Sequence, residues 1–339
     1  MKILITGGCG FVGTNLIPSL IKQGHKIAVI DNLAHGSYIP DVHDYADFAQ
    51  IDIRDKRVLA GAVKDFQPDL TFHFAGLVSI YDCHRNPSDA VANNITGSIN
   101  LFDALIAAGC PRVVFAETSA VYENCTLPAT GFSESQSDPT TVYATTKAAV
   151  ALLAESYART KGLKYTALRY FNIAGPIQDY KRTVPPLFAG FAIRMIGGNK
   201  PIIFGDGQRR RDFIHVDDIN AFHIQCLTDE RTIGQTYNLG RGESYSLYQI
   251  GEFVADILGT TGYTVSSMPV EYQLMPEING EAFEIYADIS KAKALGWEPK
   301  CSIQQALSDT IKYLEGEINK GVINPSTYMT DLNTDSVKI

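Results

Sequence analysis

Lys2-Ile3-Leu4-Ile5-Thr6-Gly7-Gly8-Cys9-Gly10-Phe11-Val12-Gly13 opens the chain, and its reading decides the fold. The run from Lys2 to Thr6 is short and apolar, which predicts the buried first strand of a parallel sheet. Spaced glycines follow at once, and Thr14-Asn15-Leu16-Ile17 continues as an amphipathic helix. Strand, glycine turn and helix together form the context of a dinucleotide fingerprint. Both Gly8-x-Gly10-x-x-Gly13 and Gly7-x-x-Gly10-x-x-Gly13 fit it. A pyrophosphate must lie against bare backbone N–H groups at a helix N-terminus, and a side chain at Gly10 would block that approach. A tight turn without a ligand would not need three spaced glycines.

Further strands point to the same crevice. Lys26-Ile27-Ala28-Val29-Ile30 ends in Asp31-Asn32. Asp31 stands roughly 20 residues past the glycines, where an acid binds adenosine ribose hydroxyls and repels a 2′-phosphate. NAD is therefore favoured over NADP. A third strand ends at Asp52-Ile53-Arg54, which reads equally as an adenine contact or as a solvated helix cap at Asp52. Leu70-Thr71-Phe72-His73-Phe74 runs into Ala75-Gly76, small residues that let the chain pass close to a cofactor, and His73 reads as a packed strand residue. Arg112-Val113-Val114-Phe115-Ala116 is a fifth strand that leads into Glu117, Thr118 and Ser119. Parallel strands deliver their C-terminal ends to one crevice, so Thr118 is expected near the nicotinamide. The stretch from Val142 to Thr160 predicts a helix on which Tyr143 and Lys147, at i and i+4, share a face. A cationic Lys147 and an oxidised nicotinamide are expected to lower the Tyr143 pKa towards working pH.

In this order, the motifs resemble the extended short-chain dehydrogenase/reductase family, in its nucleotide-sugar epimerase and dehydratase group. The likeness runs from Met1 to about Pro299 and includes Asn93-Asn94-Ile95-Thr96-Gly97, Leu168-Arg169-Tyr170-Phe171-Asn172, Phe204-Gly205-Asp206-Gly207 and Arg211-Asp212-Phe213. It implies a Rossmann-like α/β fold, a doubly wound parallel sheet with a smaller C-terminal substrate lobe. It also implies a catalytic set of Thr118, Tyr143 and Lys147. The implied NAD site takes Gly7, Gly10 and Gly13 with Phe11 and Val12 from the turn, then Asp31 and Asn32, Asp52 and Ile53, Phe74, Ala75 and Gly76. Asn94 and Tyr170 complete it with Tyr143 and Lys147. The implied substrate contacts are Thr118, Ser119, Asn172, Phe204, Arg211 and Ile285. Arg211 also has a physical case of its own, because a diphosphate invites guanidinium forks.

Ala120 narrows the reaction. Dehydratases and decarboxylases of this family carry a glutamate there, and alanine does no acid–base work. The likeness is greatest to the UDP-glucose 4-epimerase group, whose Phe-Ala-Gly-Leu segment matches Phe74-Ala75-Gly76-Leu77. The expectation is an NAD-dependent isomerase working at carbon 4 of a UDP-hexose. The alternatives are a lyase using Glu117, a net oxidoreductase, or an NAD-sensing binding protein that keeps only the cofactor site. Val78, Glu117, Ile278 and Ile285 depart from the group's usual Lys, Ser, Arg and sugar-gating residue, which leaves the sugar and nucleotide open.

Bulk properties bound the rest. With 339 residues, 45% hydrophobic and 19% charged, the chain suits a globular enzyme with a sizeable core. A formal charge of −8 without an extended basic face argues against nucleic acid. No apolar run approaches a membrane span. The six cysteines lack metal spacing, so no metal is expected, and with no signal peptide a reducing cytoplasm is. The expected division is 1–172 as the NAD lobe with 211–240 returning to it, 173–325 as the substrate lobe and 326–339 as a mobile tail. The family likeness implies a homodimer through helices at 95–108 and 142–161.

Overall fold

Alternating apolar runs and helices pair into one parallel sheet in the computed structural model, which describes residues 1–37, 39–182, 184–263, 270–277 and 282–332. In chain order the strands are β1 (Lys2–Thr6), β2 (Lys26–Asp31), β3 (Asp47–Gln50), β4 (Leu70–His73), β5 (Arg112–Thr118) and β6 (Lys164–Tyr170). They continue with β7 (Asn172–Ala174), β8 (Ile202–Phe204), β9 (Arg210–Arg211), β10 (Phe213–His215) and β11 (Gln235–Leu239). Last come β12 (Tyr245–Ser246), β13 (Gln273–Met275) and β14 (Glu284–Ile285). Seven of these form the main sheet in the order β11-β6-β5-β4-β1-β2-β3. Ile3, Val29, Phe72 and Val114 are fully buried, as strands covered by helices on both faces require. Strand order reverses between β1 and β4, and a ligand crevice opens beyond the strand ends at such a switch point.

The chain leaves this lobe after β6 and comes back to it. β7 pairs in parallel with β10, and β11 closes the main sheet against β6. Ile219 and Phe222, from the helix Val216–Gln225, pack into the first core with Leu16 and Leu168. A second core joins the helices Leu187–Ile196, Leu247–Thr260 and Ile303–Asn319 through Phe188, Phe191, Ile250, Val254 and Leu307.

Part of the expected tail makes specific contacts. Arg194, only 5% exposed, donates to the carbonyls of Tyr328 and Met329, each at 3.1 Å. The Tyr328 hydroxyl donates to the Tyr180 carbonyl at 2.6 Å, and Met329 and Leu332 pack with Phe204, Tyr81 and Met275. The reason is that an arginine reads backbone oxygens, which any sequence provides. Only 333–339 of the expected mobile segment lie outside the described residues.

Candidate active site

The crevice at the switch point is a cavity of about 640 Å³, within the usual range for a small-molecule site. One end is the glycine turn. Gly7 adopts φ +70°, and a Cβ there would lie 2.5 Å from the Ala75 nitrogen, so any side chain would push the β4 loop away. A Cβ on Gly13 would lie 2.6 Å from the Gly8 Cα, so Gly13 is needed for packing the helix on the turn rather than for the wall itself. Gly10 is the N-cap of the helix Phe11–Lys22, and no side chain caps that end. A Cβ there would meet only the Gly7 oxygen, at 3.3 Å, and otherwise project into open space. Gly7, Gly10, Phe11 and Val12 line the cavity, so bare backbone at a helix N-terminus faces it. These residues fit a dinucleotide pyrophosphate.

Asp31 and Asn32 also line it. Asp31 carries a second task that the sequence did not reveal: its carboxylate accepts from the Cys9 and Leu33 nitrogens at 3.0 and 2.8 Å. Replacing Asp31 by alanine should weaken NAD at least about tenfold and shift preference towards NADP, since a hydrogen bond to a charged group contributes about 1.5–3 kcal/mol. Dissociation constants for both cofactors measure this, and an unchanged ratio would take Asp31 away from the ribose. Asp52 is committed to Arg54 and Asn32, which hold its carboxylate well below the usual range, while Ile51, Ile53 and Arg54 supply the wall. His73 is an internal bridge between Thr6 and Ser98, and burial pushes it down to about 3, so it is a neutral packed residue.

Phe74, Ala75 and Gly76 face the cavity, but Asn94 does not; its neighbour Asn93 does. Asn94 is 2% exposed and bonds both backbone groups of Leu77, at 2.7 and 3.0 Å, and the Thr146 hydroxyl at 2.9 Å. It ties the loop after β4 to the helix Val142–Lys161 from within a π-helical turn, Val91–Thr96. Such turns are rare and concentrate near functional sites.

Thr118, Tyr143 and Lys147 meet at the other end, with Tyr170 and Asn172. Thr118 ends β5, and its side chain accepts from the Ala120 nitrogen at 3.2 Å and faces the cavity with Tyr143. Thr141 caps the helix that presents Tyr143 and Lys147, accepting from the Ala144 nitrogen at 3.2 Å. The protein's own effect on Tyr143 is opposite to the expected one. Burial pushes the phenol up to about 12, against downward pulls from Thr118 and the charge of Arg182. Lys147, 8% exposed, is itself pushed down to about 8 by burial, with Glu117 and Cys83 pulling it back up. The Tyr170 hydroxyl bonds the buried His223 at 2.7 Å.

Four expected substrate contacts stand outside this cavity. Ser119 begins the 3₁₀ turn Ser119–Tyr122. Phe204 packs with Tyr81 and Met275, and Ile285, 5% exposed, belongs to the first core. Arg211 lies on β9 and donates to the carbonyls of Arg210 and Phe283. Ile278 falls outside the described residues. Sequence reasoning missed the segment from Ile177 to Phe188, which brings Gln178, Lys181 and Arg182 into the wall. Only prolines marked it, and they signal a loop without saying where it lies. It also missed Arg169, whose Nε is 2.5 Å from a Glu117 carboxylate oxygen in a buried pair.

Among the described residues no helix is long and apolar enough to cross a membrane, and no cluster suited to a metal ion is found. Comparison with known proteins gives a consistent result. A putative UDP-glucose 4-epimerase of Methanocaldococcus jannaschii is 29% identical over 315 residues, covering 92% of this chain and 98% of that one. The UDP-glucose 4-epimerase of Thermotoga maritima, solved with UDP-glucose, matches at a TM-score of 0.87 and 30% identity, over 94% of this chain and 100% of that one. The Thermus thermophilus UDP-glucose 4-epimerase, solved in complex with NAD, matches at 0.84 and 28% identity, over 93% and 99%. The family model for NAD dependent epimerases and dehydratases matches residues 3–240, and NAD is the cofactor. The chain belongs to the NAD dependent epimerase/dehydratase family.

Proposed function

We propose that the protein epimerises a UDP-hexose at carbon 4. The observation that carries this reading is that Thr118, Tyr143 and Lys147 line one cavity with the glycine turn, with Lys147 buried. Tyr143 takes the proton from the sugar hydroxyl, and Thr118 bonds the same oxygen. Lys147 keeps a positive charge close to the developing phenolate. Bound NAD would supply reversible hydride acceptance at the sugar carbon, so that the overall reaction is redox-neutral. Elimination or decarboxylation needs one more acid free to move a proton. Ala120 cannot be that acid, which supports epimerisation; Glu117 lines the cavity, and one of its carboxylate oxygens is paired with Arg169.

Asn172 and Arg211 are the proposed diphosphate contacts. Arg209 is ion-paired with Glu277 and Arg210 with Glu284, and the Arg211 guanidinium donates to the carbonyls of Arg210 and Phe283. Replacing Arg211 by alanine should raise KM about ten- to a hundredfold for every nucleotide sugar used, the scale of one charge-assisted hydrogen bond. Wild-type KM in that variant would move the diphosphate elsewhere. Leu152, 65% exposed on the helix Val142–Lys161, supports that helix pairing with a second copy. The reaction is tested by incubating the protein with a panel of nucleotide sugars and reading products by NMR while following reduced-cofactor absorbance. Redox-neutral interconversion at carbon 4 supports the proposal; a deoxy-keto sugar, carbon dioxide or stoichiometric reduced cofactor overturns it.

A further inference from the structure

The segment after β7 crosses the cofactor cavity from the second lobe. Asn15, on the helix that starts at the glycine turn, fastens it by donating to the Pro176 carbonyl at 2.9 Å. Ile177 then takes φ +63°, a conformation a β-branched residue adopts only when its surroundings impose it. Asp179 stiffens the next turn: one carboxylate oxygen accepts from the Lys181 backbone nitrogen at 2.9 Å and the other lies 2.5 Å from the Arg182 Nε. The outcome is that the Lys181 ammonium reaches Ser37 and donates to its hydroxyl at 2.8 Å.

Ser37 is part of the glycine-turn surroundings. Its nitrogen donates to the Cys9 carbonyl at 3.0 Å. A Cβ on the preceding Gly36 would lie 2.6 Å from the Cys9 oxygen and 3.1 Å from the Gly10 nitrogen, so this loop rests directly on the turn. Lys181 and Ser37 thus hold opposite rims of the cavity beside the bare backbone that fits a pyrophosphate.

Charge pairing separates Lys181 from the other cations of the wall. Arg54 is bonded to Asp52 and Asp89, Arg182 is paired with Asp179, and Lys147 sits near Glu117 at the far end. Among the described residues the Lys181 ammonium meets the Ser37 hydroxyl and, at 5.7 Å, the face of the Tyr180 ring, and is paired with no carboxylate. An ammonium without a paired carboxylate at the anion-binding end of a cavity adds attraction for a doubly charged ligand.

We propose that Lys181, backed by Ser37, clamps the dinucleotide pyrophosphate from the substrate lobe and slows release of NAD. It is a cofactor-retention residue reaching across from the other lobe. Because Lys181 is exposed, its truncation leaves both cores intact.

The test uses the holoenzyme and does not depend on turnover. Exchange of bound NAD for fluorescent etheno-NAD is followed at a temperature where the wild-type rate is measurable, alongside the thermal midpoint. Lys181→Ala should speed exchange on the order of tenfold, Lys181→Arg should stay near wild type, and Ser37→Ala should fall between them. The salt acceleration of wild-type exchange should be reduced in Lys181→Ala. UDP affinity of the holoenzyme should not change. Wild-type exchange in Lys181→Ala overturns the proposal. So does weaker UDP binding with unchanged exchange, which would give Lys181 to the substrate diphosphate.

Discussion

Phenylalanine in place of Tyr143 should leave NAD bound and cut turnover at least about a hundredfold, the usual scale for a general acid–base group. The substitution removes one oxygen, which lies in the cavity beside Thr118. The ring stays, so the helix Val142–Lys161 and its packing against Ala90 and Leu77 are kept. The glycine turn and Asp31 sit at the other end of the cavity and are untouched, so cofactor affinity should hold. The size of the loss follows from how the phenol is poised. Burial pushes it up to about 12 even with Thr118 and the Arg182 charge pulling down. A group held this high takes a proton only when further positive charge is placed beside it, which ties its basicity to the loaded cofactor site. Steady-state turnover and an NAD titration on the same preparation measure both halves of the expectation. Turnover near wild type would remove Tyr143 from the chemistry. Loss of NAD would show that the hydroxyl serves binding instead.

What the sequence made legible was local. β1, the glycines and the helix after them are contiguous, and Tyr143 and Lys147 are one helical turn apart, so fixed periodicities place them. Residues from both ends line one cavity. Contacts made across the sequence were not legible. Asn94 reaches Leu77 and Thr146, 17 and 52 residues away, and an asparagine's role depends on which partners the fold supplies. Glu117 and Arg169 are directly opposed on β5 and β6, yet 52 residues separate them in the chain. Read along the sequence, Glu117 was a stray carboxylate near the site; strand register turns it into half of an ion pair. The Pro-marked stretch after Asn172 has no period at all, so nothing in it could place Lys181 over the glycine turn.

The Glu117–Arg169 pair leads to the largest expected loss of stability. Arg169 does more than neutralise Glu117. Its Nη1 also donates to the Tyr122 hydroxyl at 2.9 Å and to the carbonyls of Glu134 and Gln136 at 3.0 Å. The Tyr122 hydroxyl passes on to Asn238, which binds the Phe132 carbonyl, so the network joins β5, β6, β11 and the loop between them. Methionine at position 169 would fill similar space but leave Glu117, 2% exposed, without its guanidinium. Breaking one side of a buried pair costs about 3–5 kcal/mol, which in a chain of this size corresponds to a fall in Tm on the order of 10 °C. The loss should depend on pH. Burial raises Glu117 above its ordinary value, and Arg169 and Lys147 pull it back down. Without Arg169 the folded-state pKa rises further above the unfolded one. Below the unfolded value the carboxyl is neutral in both states and no charge penalty arises; as pH climbs through the raised value the penalty grows to its full size. Arg169→Met should therefore be closer to wild type at pH 5 than at pH 8. Adding Glu117→Gln, which removes the charge, should recover part of the loss at pH 8 and little at pH 5. Urea unfolding of the three proteins at both pH values, with NAD saturating, tests this. Equal destabilisation at pH 5 and pH 8 would mean that lost packing and hydrogen bonds, rather than a stranded carboxylate, account for the role of Arg169.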